Sequence, residues 1–175
     1  MKRNSLYRGK FLELAAWDAW EFVHRTRGSN PVGIVAMTDE GRVLLISQFR
    51  VPVQRVCVEI PAGLVGDSDE GEGWKIAALR ELREETGYAA DDAEVLTEGP
   101  TSAGLTDECI TLVRAIGVRH EGDPTPDGDE KIEVHAVPVG EVDAFLKRRV
   151  AMRNLVDAKV YAALYFLMRD ARSKS

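Results

Sequence analysis

GDSDEGEGWKIAALRELREETGY, residues 66–88, holds a change of hydrophobic period and a crowd of carboxylates within one short stretch. From Trp74 to Thr86 the apolar residues Trp74, Ile76, Ala77, Ala78, Leu79 and Leu82 recur at helical spacing, with Glu and Arg between them,. The pattern predicts a helix over 74–86, capped at its C-terminal end by Gly87. On that helix Glu81, Glu84 and Glu85 stand at i, i+3 and i+4, so their carboxylates project from one side. Like charges at such spacing repel by roughly a few tenths of a kcal/mol per pair in water, and by more when partly buried. Arg80, four residues before Glu84, can neutralise one carboxylate. The remaining pair calls for a shared proton or a divalent cation, and hard oxygen donors suit Mg²⁺, with Mn²⁺ as a substitute.

Outward from this helix, the first half of the chain reads as strands. Residues 11–15 and 17–25 alternate apolar and polar side chains, 33–37 is a short apolar run, and Thr38-Asp-Glu-Gly41 turns the chain into a strand over 42–49,. Residues 56–60 form another strand, stopped by Pro61, and a glycine-rich acidic loop spans 62–73. Beyond the helix, strands are expected near 94–97, 109–117 and 132–137. An acidic, turn-rich loop over 121–131 lies between the last two. Helices over 139–149 and 156–172 close the chain.

The 175 residues suffice for one domain with a single core,. With 45% hydrophobic and 30% charged residues the composition is that of an ordinary globular protein,. A formal charge of -6 disfavours nucleic acid or an anionic membrane as partner, so an anionic ligand needs a local basic site or a metal,. Cys57 and Cys109 sit in apolar runs and read as buried thiols. Glu13 and Asp18 break the apolar stretch near the N-terminus, and the run 160–168 is too short to span a bilayer. The expectation is therefore a cytoplasmic protein. His24, His120 and His135 are scattered, with no metal-ligand spacing.

Gly66, Glu72, Arg80, Glu81, Glu84, Glu85 and Gly87 fill every fixed position of the pattern G-x5-E-x7-R-E-U-x-E-E-x-G-U, with Leu82 and Tyr88 at the bulky apolar positions. Chance supplies such a match on the order of once in a million chains of this length, which argues against a merely solvated helix face. The stretch resembles the signature of the Nudix hydrolases. That resemblance implies an α/β (α+β) fold, an α/β/α sandwich with a mixed central sheet, here following an N-terminal antiparallel strand meander. It implies Mg²⁺-dependent cleavage of a nucleoside diphosphate linked to another moiety. By position, Glu81 and Glu85 are the principal metal ligands, Glu84 is a further ligand or acid, and Arg80 and Glu72 brace the helix and loop.

Flanking segments are similar to the ADP-ribose pyrophosphatase-like branch. EIPAGL (59–64) resembles its EXPAGL run, and WEFVHR (20–25) and SQFR (47–50) resemble the segments that carry its nucleotide contacts. The likeness makes Trp20 and Phe11 candidates for stacking on the base, Arg25 and Arg50 contacts to substrate anions, Glu59 a polar contact and the Ala62 carbonyl a metal ligand. Core packing is the competing role for Trp20 and Phe11. Two departures stand out. Gly63 lies three residues too early to be the first glycine of the signature, which implies a short insertion after Leu64. In TSAGLTDE (101–108) Ala103 replaces an expected proline, which loosens the substrate assignment.

A general base must also accept a proton from the attacking water, and a carboxylate that ligates a metal has reduced basicity. In similar enzymes the acidic loop before a late strand supplies it, which points to Glu130 and then Asp129, with Glu133 as a strand surface or structural partner. The resemblance further implies a homodimer in which residues 1–30 contribute to the partner's cleft. The expected substrate is a small nucleoside diphosphate sugar such as ADP-ribose, split into NMP and sugar phosphate. The alternatives are a dinucleoside polyphosphate or oxidised nucleoside triphosphate hydrolase, and a non-catalytic nucleotide-sugar sensor on the same fold.

Overall fold

The computed structural model describes residues 3–27, 30–66, 71–126 and 131–173. Its elements in chain order are β1 (Arg3–Arg8), β2 (Leu12–Trp17), β3 (Trp20–Arg25), β4 (Pro31–Val35), β5 (Arg42–Arg50), β6 (Arg55–Glu59), β7 (Ala62–Leu64), α1 (Trp74–Thr86), β8 (Tyr88–Ala89), β9 (Asp92–Pro100), β10 (Cys109–Ile116), β11 (Arg119–His120), β12 (Glu133–Pro138), α2 (Val142–Ala151), β13 (Leu155–Val156) and α3 (Ala158–Ser173). A mixed sheet of order β7-β4-β10-β9 and a second of order β12-β5-β6-β13 form the middle layer. β10 runs parallel to β4, and β13 parallel to β6, while the other pairings in these sheets are antiparallel.

The alternation of β5 explains the layering, because successive side chains of a strand point to opposite faces. Leu44 packs with Val32, Ile34, Ala36 and Val113 beneath Ala77, Ala78 and Leu82 of α1. Val43 and Leu45 face the other way, onto Val142 and Leu146 of α2 and Val160, Ala163 and Leu167 of α3. Helices thus cover both faces, as expected for an α/β/α sandwich. α1 matches its predicted bounds, and Gly87 closes it at φ 74, with its N–H donating to the Arg83 carbonyl. A Cβ at Gly87 would overlap the Gly122 carbonyl oxygen, so this position needs glycine twice over, for φ and for space,. Ile76, grouped with the apolar face in sequence, is instead 63% exposed, because it lies roughly 200° around the helix from Ala78,.

The N-terminal sheet has three strands in the order β1-β2-β3. The single strand expected over 17–25 breaks at Asp18, whose φ of 54 makes the turn between the paired Trp17 and Trp20. β1 was not legible because its side chains are all exposed and so carry no buried alternation. The last helix begins at Ala158, since Leu155 and Val156 first pair with Cys57 and Val58. No helix among the described residues is long and apolar enough to cross a membrane.

Candidate active site

A cleft of about 600 Å³ opens where the two central sheets meet the start of β7, one flank of α1 and the start of α3. Glu81, Glu84 and Glu85 line it, together with Ala62 and Gly63 of β7, Arg50 of β5, Glu59 and Cys57 of β6, Arg25 of β3, Glu108, and Asp157 and Lys159 at the head of α3. One helical flank delivers the three glutamates because it borders the buried stripe of Ala77, Ala78 and Leu82, whose docking in the core turns that flank toward the cleft,.

Arg80 organises the flank. Its Nε and Nη2 donate to the two oxygens of Glu72 at 2.9 and 3.1 Å, and Nη1 donates to Glu81 at 2.9 Å and to Glu84 at 2.8 Å. Glu72 in turn accepts from the Gly66 N–H at 3.3 Å, so the fork ties loop to helix. These bonds hold the Glu72 carboxyl below the usual carboxylate range, the Arg80 hydrogen bond being the main cause,. Its three acidic partners raise the Arg80 pKa well above that of a free guanidinium. The bracing role inferred from the signature thus has a geometry: one guanidinium spans three carboxylates.

The carboxylates do not converge on a single point. Among the described residues no three acidic, histidine or cysteine side chains form a ready metal cage. Glu81 and Glu84 are drawn to Arg80, and Glu85, only 5% exposed, accepts from the Ala62 N–H at 3.0 Å. The backbone is nevertheless shaped for them. A Cβ at Gly63 would overlap the carboxyl group of Glu81, so the chain at Gly63 leaves the space that Glu81 fills,. The Ala62 contact is made through its N–H.

Arg50 and Glu59 form a two-bonded fork at 2.8 and 2.5 Å, placed by the adjacent antiparallel strands β5 and β6,. Arg25 reaches Glu108 through Nε and Nη2 at 3.0 and 2.6 Å. Six carboxylates therefore face three cations along the described lining: Glu59, Glu81, Glu84, Glu85, Glu108 and Asp157 against Arg25, Arg50 and Lys159. An anionic diphosphate enters such a lining only with compensating positive charge, and hard carboxylate oxygens are the donors that Mg²⁺ or Mn²⁺ prefer.

Trp20 and Phe11 lie elsewhere on this chain. Trp20, 74% exposed, lines a separate aromatic hollow with Trp17, Phe22, Ala103, Thr106 and Asp107. Phe11 lines a shallow groove with Tyr7, Leu12 and Val23, under the ammonium of Lys10. Core packing, the competing role, fits neither side chain, since both are exposed. Glu133 pairs with Arg149 at 2.8 Å, as a structural partner would. Glu130 and Asp129 lie outside the described residues. The reading of the sequence did not single out Lys159, Asp157 or Cys57 as site residues. Glu108 had a signal, the acidic end of the 101–108 segment, whereas Lys159 has no neighbour in sequence that marks it.

A family model described as NUDIX domain matches residues 29–159, from β4 to the first turn of α3. The chain is 38% identical over 143 residues to an ADP-ribose pyrophosphatase of Bacillus subtilis (strain 168), covering 80% of this chain and 73% of that one. It is 38% identical over 134 residues to an ADP-ribose pyrophosphatase of Mycobacterium tuberculosis, covering 76% and 62%. With an ADP-sugar pyrophosphatase of Mus musculus it shares 38% over 127 residues, covering 69% and 56%. A crystal structure of an ADP compounds hydrolase superposes at a TM-score of 0.75, covering 100% of this chain and 94% of the other. At 19% identity that likeness speaks for the fold. The complete glutamate signature on α1, the layered fold that presents it and the extent of these matches agree, and the chain belongs to the NUDIX family.

Proposed function

We propose that this protein hydrolyses the diphosphate bond of ADP-ribose or a related nucleoside diphosphate sugar, releasing a nucleoside monophosphate and a sugar phosphate. The observation that carries the reading is the shared cleft. Glu81, Glu84 and Glu85 face the same space as the forks Arg25–Glu108 and Arg50–Glu59. Relatives described as ADP-ribose and ADP-sugar pyrophosphatases support that substrate class.

Glu81 and Glu85, with Glu84, would hold Mg²⁺, which when bound neutralises charge on the diphosphate and orients the attacking water. Arg25 and Arg50 present planar guanidinium groups of the kind that matches phosphate oxygens. Hydrolysis forms a bond from the water oxygen to phosphorus, breaks the phosphorus bond to the bridging oxygen, and passes the water proton to a carboxylate. Glu130, then Asp129, is the base we favour. Pro126, the last described residue before them, lines the cleft. A base that ligates no metal retains its basicity.

Self-association completes the proposal. The β1-β2-β3 sheet exposes Leu6, Tyr7, Phe11, Leu12, Trp17 and Trp20, an apolar set of the kind that a homodimer covers,. Trp20 offers its face to a nucleobase, and its hollow is continuous in chain with the cleft through Thr106, Asp107 and Glu108. The free thiols Cys57 and Cys109 suit a reducing compartment such as the cytoplasm,. Turnover of ADP-ribose, ADP-glucose, GDP-mannose, diadenosine polyphosphates and 8-oxo-dGTP, each with Mg²⁺ and with Mn²⁺, tests the assignment. Preference for the triphosphate or polyphosphate substrates moves it to the alternatives, and no turnover on any overturns it.

A further inference from the structure

Three successive residues of β3 are tied to one arm of the body, residues 105–108 just ahead of β10. The Val23 N–H donates to the Leu105 carbonyl at 2.8 Å, and Val23 bridges Thr106 in parallel register. His24 Nδ1 lies 2.8 Å from Asp107 Oδ2, and because an ionised carboxylate only accepts, Nδ1 is the donor,. Arg25 closes the series on Glu108. Glu108 is itself fixed within the arm. Its N–H donates to Thr106 Oγ1 at 3.1 Å, and its Oε1 accepts from the Thr101 hydroxyl at 3.2 Å. Arg25 and Glu108 line the cleft, whereas Asp107 lines the aromatic hollow.

Successive side chains of a strand point to opposite faces, so the ties from His24 and Arg25 grip the arm from opposite sides of the backbone bond at Val23,. One tie by itself permits the arm to pivot about that bond. A pivot carries Glu108, and with it the Arg25 guanidinium, along the cleft wall. Stability gives little reason for the outer tie, since the His24 and Asp107 side chains are 35% and 44% exposed, where ion pairs contribute little,. Resting on the proposed hydrolysis of nucleoside diphosphate sugars, in which Arg25 contacts phosphate, we infer that His24 and Asp107 are positioning residues. Their bond holds the 105–108 arm in register on β3 and so sets Arg25 toward the substrate.

Steady-state hydrolysis of ADP-ribose with Mg²⁺, beside a thermal melt, tests this on wild type, His24→Ala, His24→Asn, Arg25→Ala and the double variant of His24→Ala with Arg25→Ala. Loss of one exposed hydrogen-bonded pair predicts that His24→Ala raises KM about threefold, with kcat within about twofold of wild type and the melting temperature little changed. His24→Asn recovers most of the loss, because its amide N–H takes the place of the ring Nδ1–H. The double variant matches Arg25→Ala, since a residue that acts through Arg25 has nothing to position once the guanidinium is gone. Unchanged KM in His24→Ala, no recovery in His24→Asn, or a His24→Ala effect that persists in full beside Arg25→Ala overturns the inference while the hydrolytic reading stands. A wild-type protein that hydrolyses no nucleotide sugar overturns both. If His24→Ala fails to fold, Asp107→Ala takes its place in the same cycle with Arg25→Ala, and the same outcomes decide.

Discussion

At the scale of single residues, Glu85 and Gly63 test the metal-bearing flank from opposite sides. Glu85→Gln keeps the hydrogen bond from the Ala62 N–H but removes the charge. Loss of a ligand charge that stabilises the transition state is expected to lower kcat by at least about a hundredfold, with nucleotide affinity and melting temperature little changed. A steady-state assay beside a thermal melt reads both. Gly63→Ala adds a methyl group where the Glu81 carboxyl lies, so turnover falls even though no ionisable group is altered,. Unchanged kcat in Gly63→Ala would mean that Glu81 need not occupy that place.

Among the elements, α1 depends on one guanidinium. Arg80→Met strips partners from Glu72, Glu81 and Glu84 together and is expected to cost about 2 kcal/mol or more, read as a lower denaturant midpoint,. The same pairing sets a pH dependence. Glu72 titrates below its ordinary 4.5 in the fold, so its contribution is complete above that pH and is lost as pH falls through the lower folded value,. Acid titrations followed by circular dichroism are expected to show this loss in wild type and less of it in Arg80→Met.

Under α2 a second titration acts. His135, half-buried beside Ser47, Arg149 and Phe145, has its pKa lowered from 6.5, chiefly by desolvation. Its neutral form belongs to the fold, so stability is full above 6.5 and declines as pH drops toward the folded value. Melting temperatures of wild type and His135→Gln across that interval are expected to differ in slope, and parallel curves would contradict it.

For the whole molecule, the expectations concern assembly and metal. Light scattering is expected to give twice the chain mass. Replacing the exposed apolar pair Phe11 and Leu12 of the N-terminal sheet by serine is expected to shift the protein toward monomer,. Chelation by EDTA is expected to abolish hydrolysis, and added Mg²⁺ to restore it, because the carboxylate lining offers the diphosphate too little positive charge without it,. Activity that survives complete chelation would contradict the assignment of the glutamates.

By itself the sequence determined what is local. The period of 3.6 over 74–86 fixed α1 and placed Glu81, Glu84 and Glu85 on one flank, and a helix-ending glycine could be read at Gly87 because only a left-handed residue closes the turn there,. The three-residue spacing between Gly63 and Gly66 was visible too, though residues 67–70 lie outside the described structure. Tertiary structure decided every pairing that spans the chain. Arg25 meets Glu108 across 83 residues, Asp157 is pinned to Val58, and Lys159 comes to face the glutamates of α1. No periodicity encodes such contacts, because they arise only when β3 is laid beside residues 105–106 and β13, leading into α3, is paired with β6. The same packing separates Trp20 from the cleft on its own chain, since the turn at Asp18 directs β3 along the N-terminal sheet and leaves its aromatic face outward.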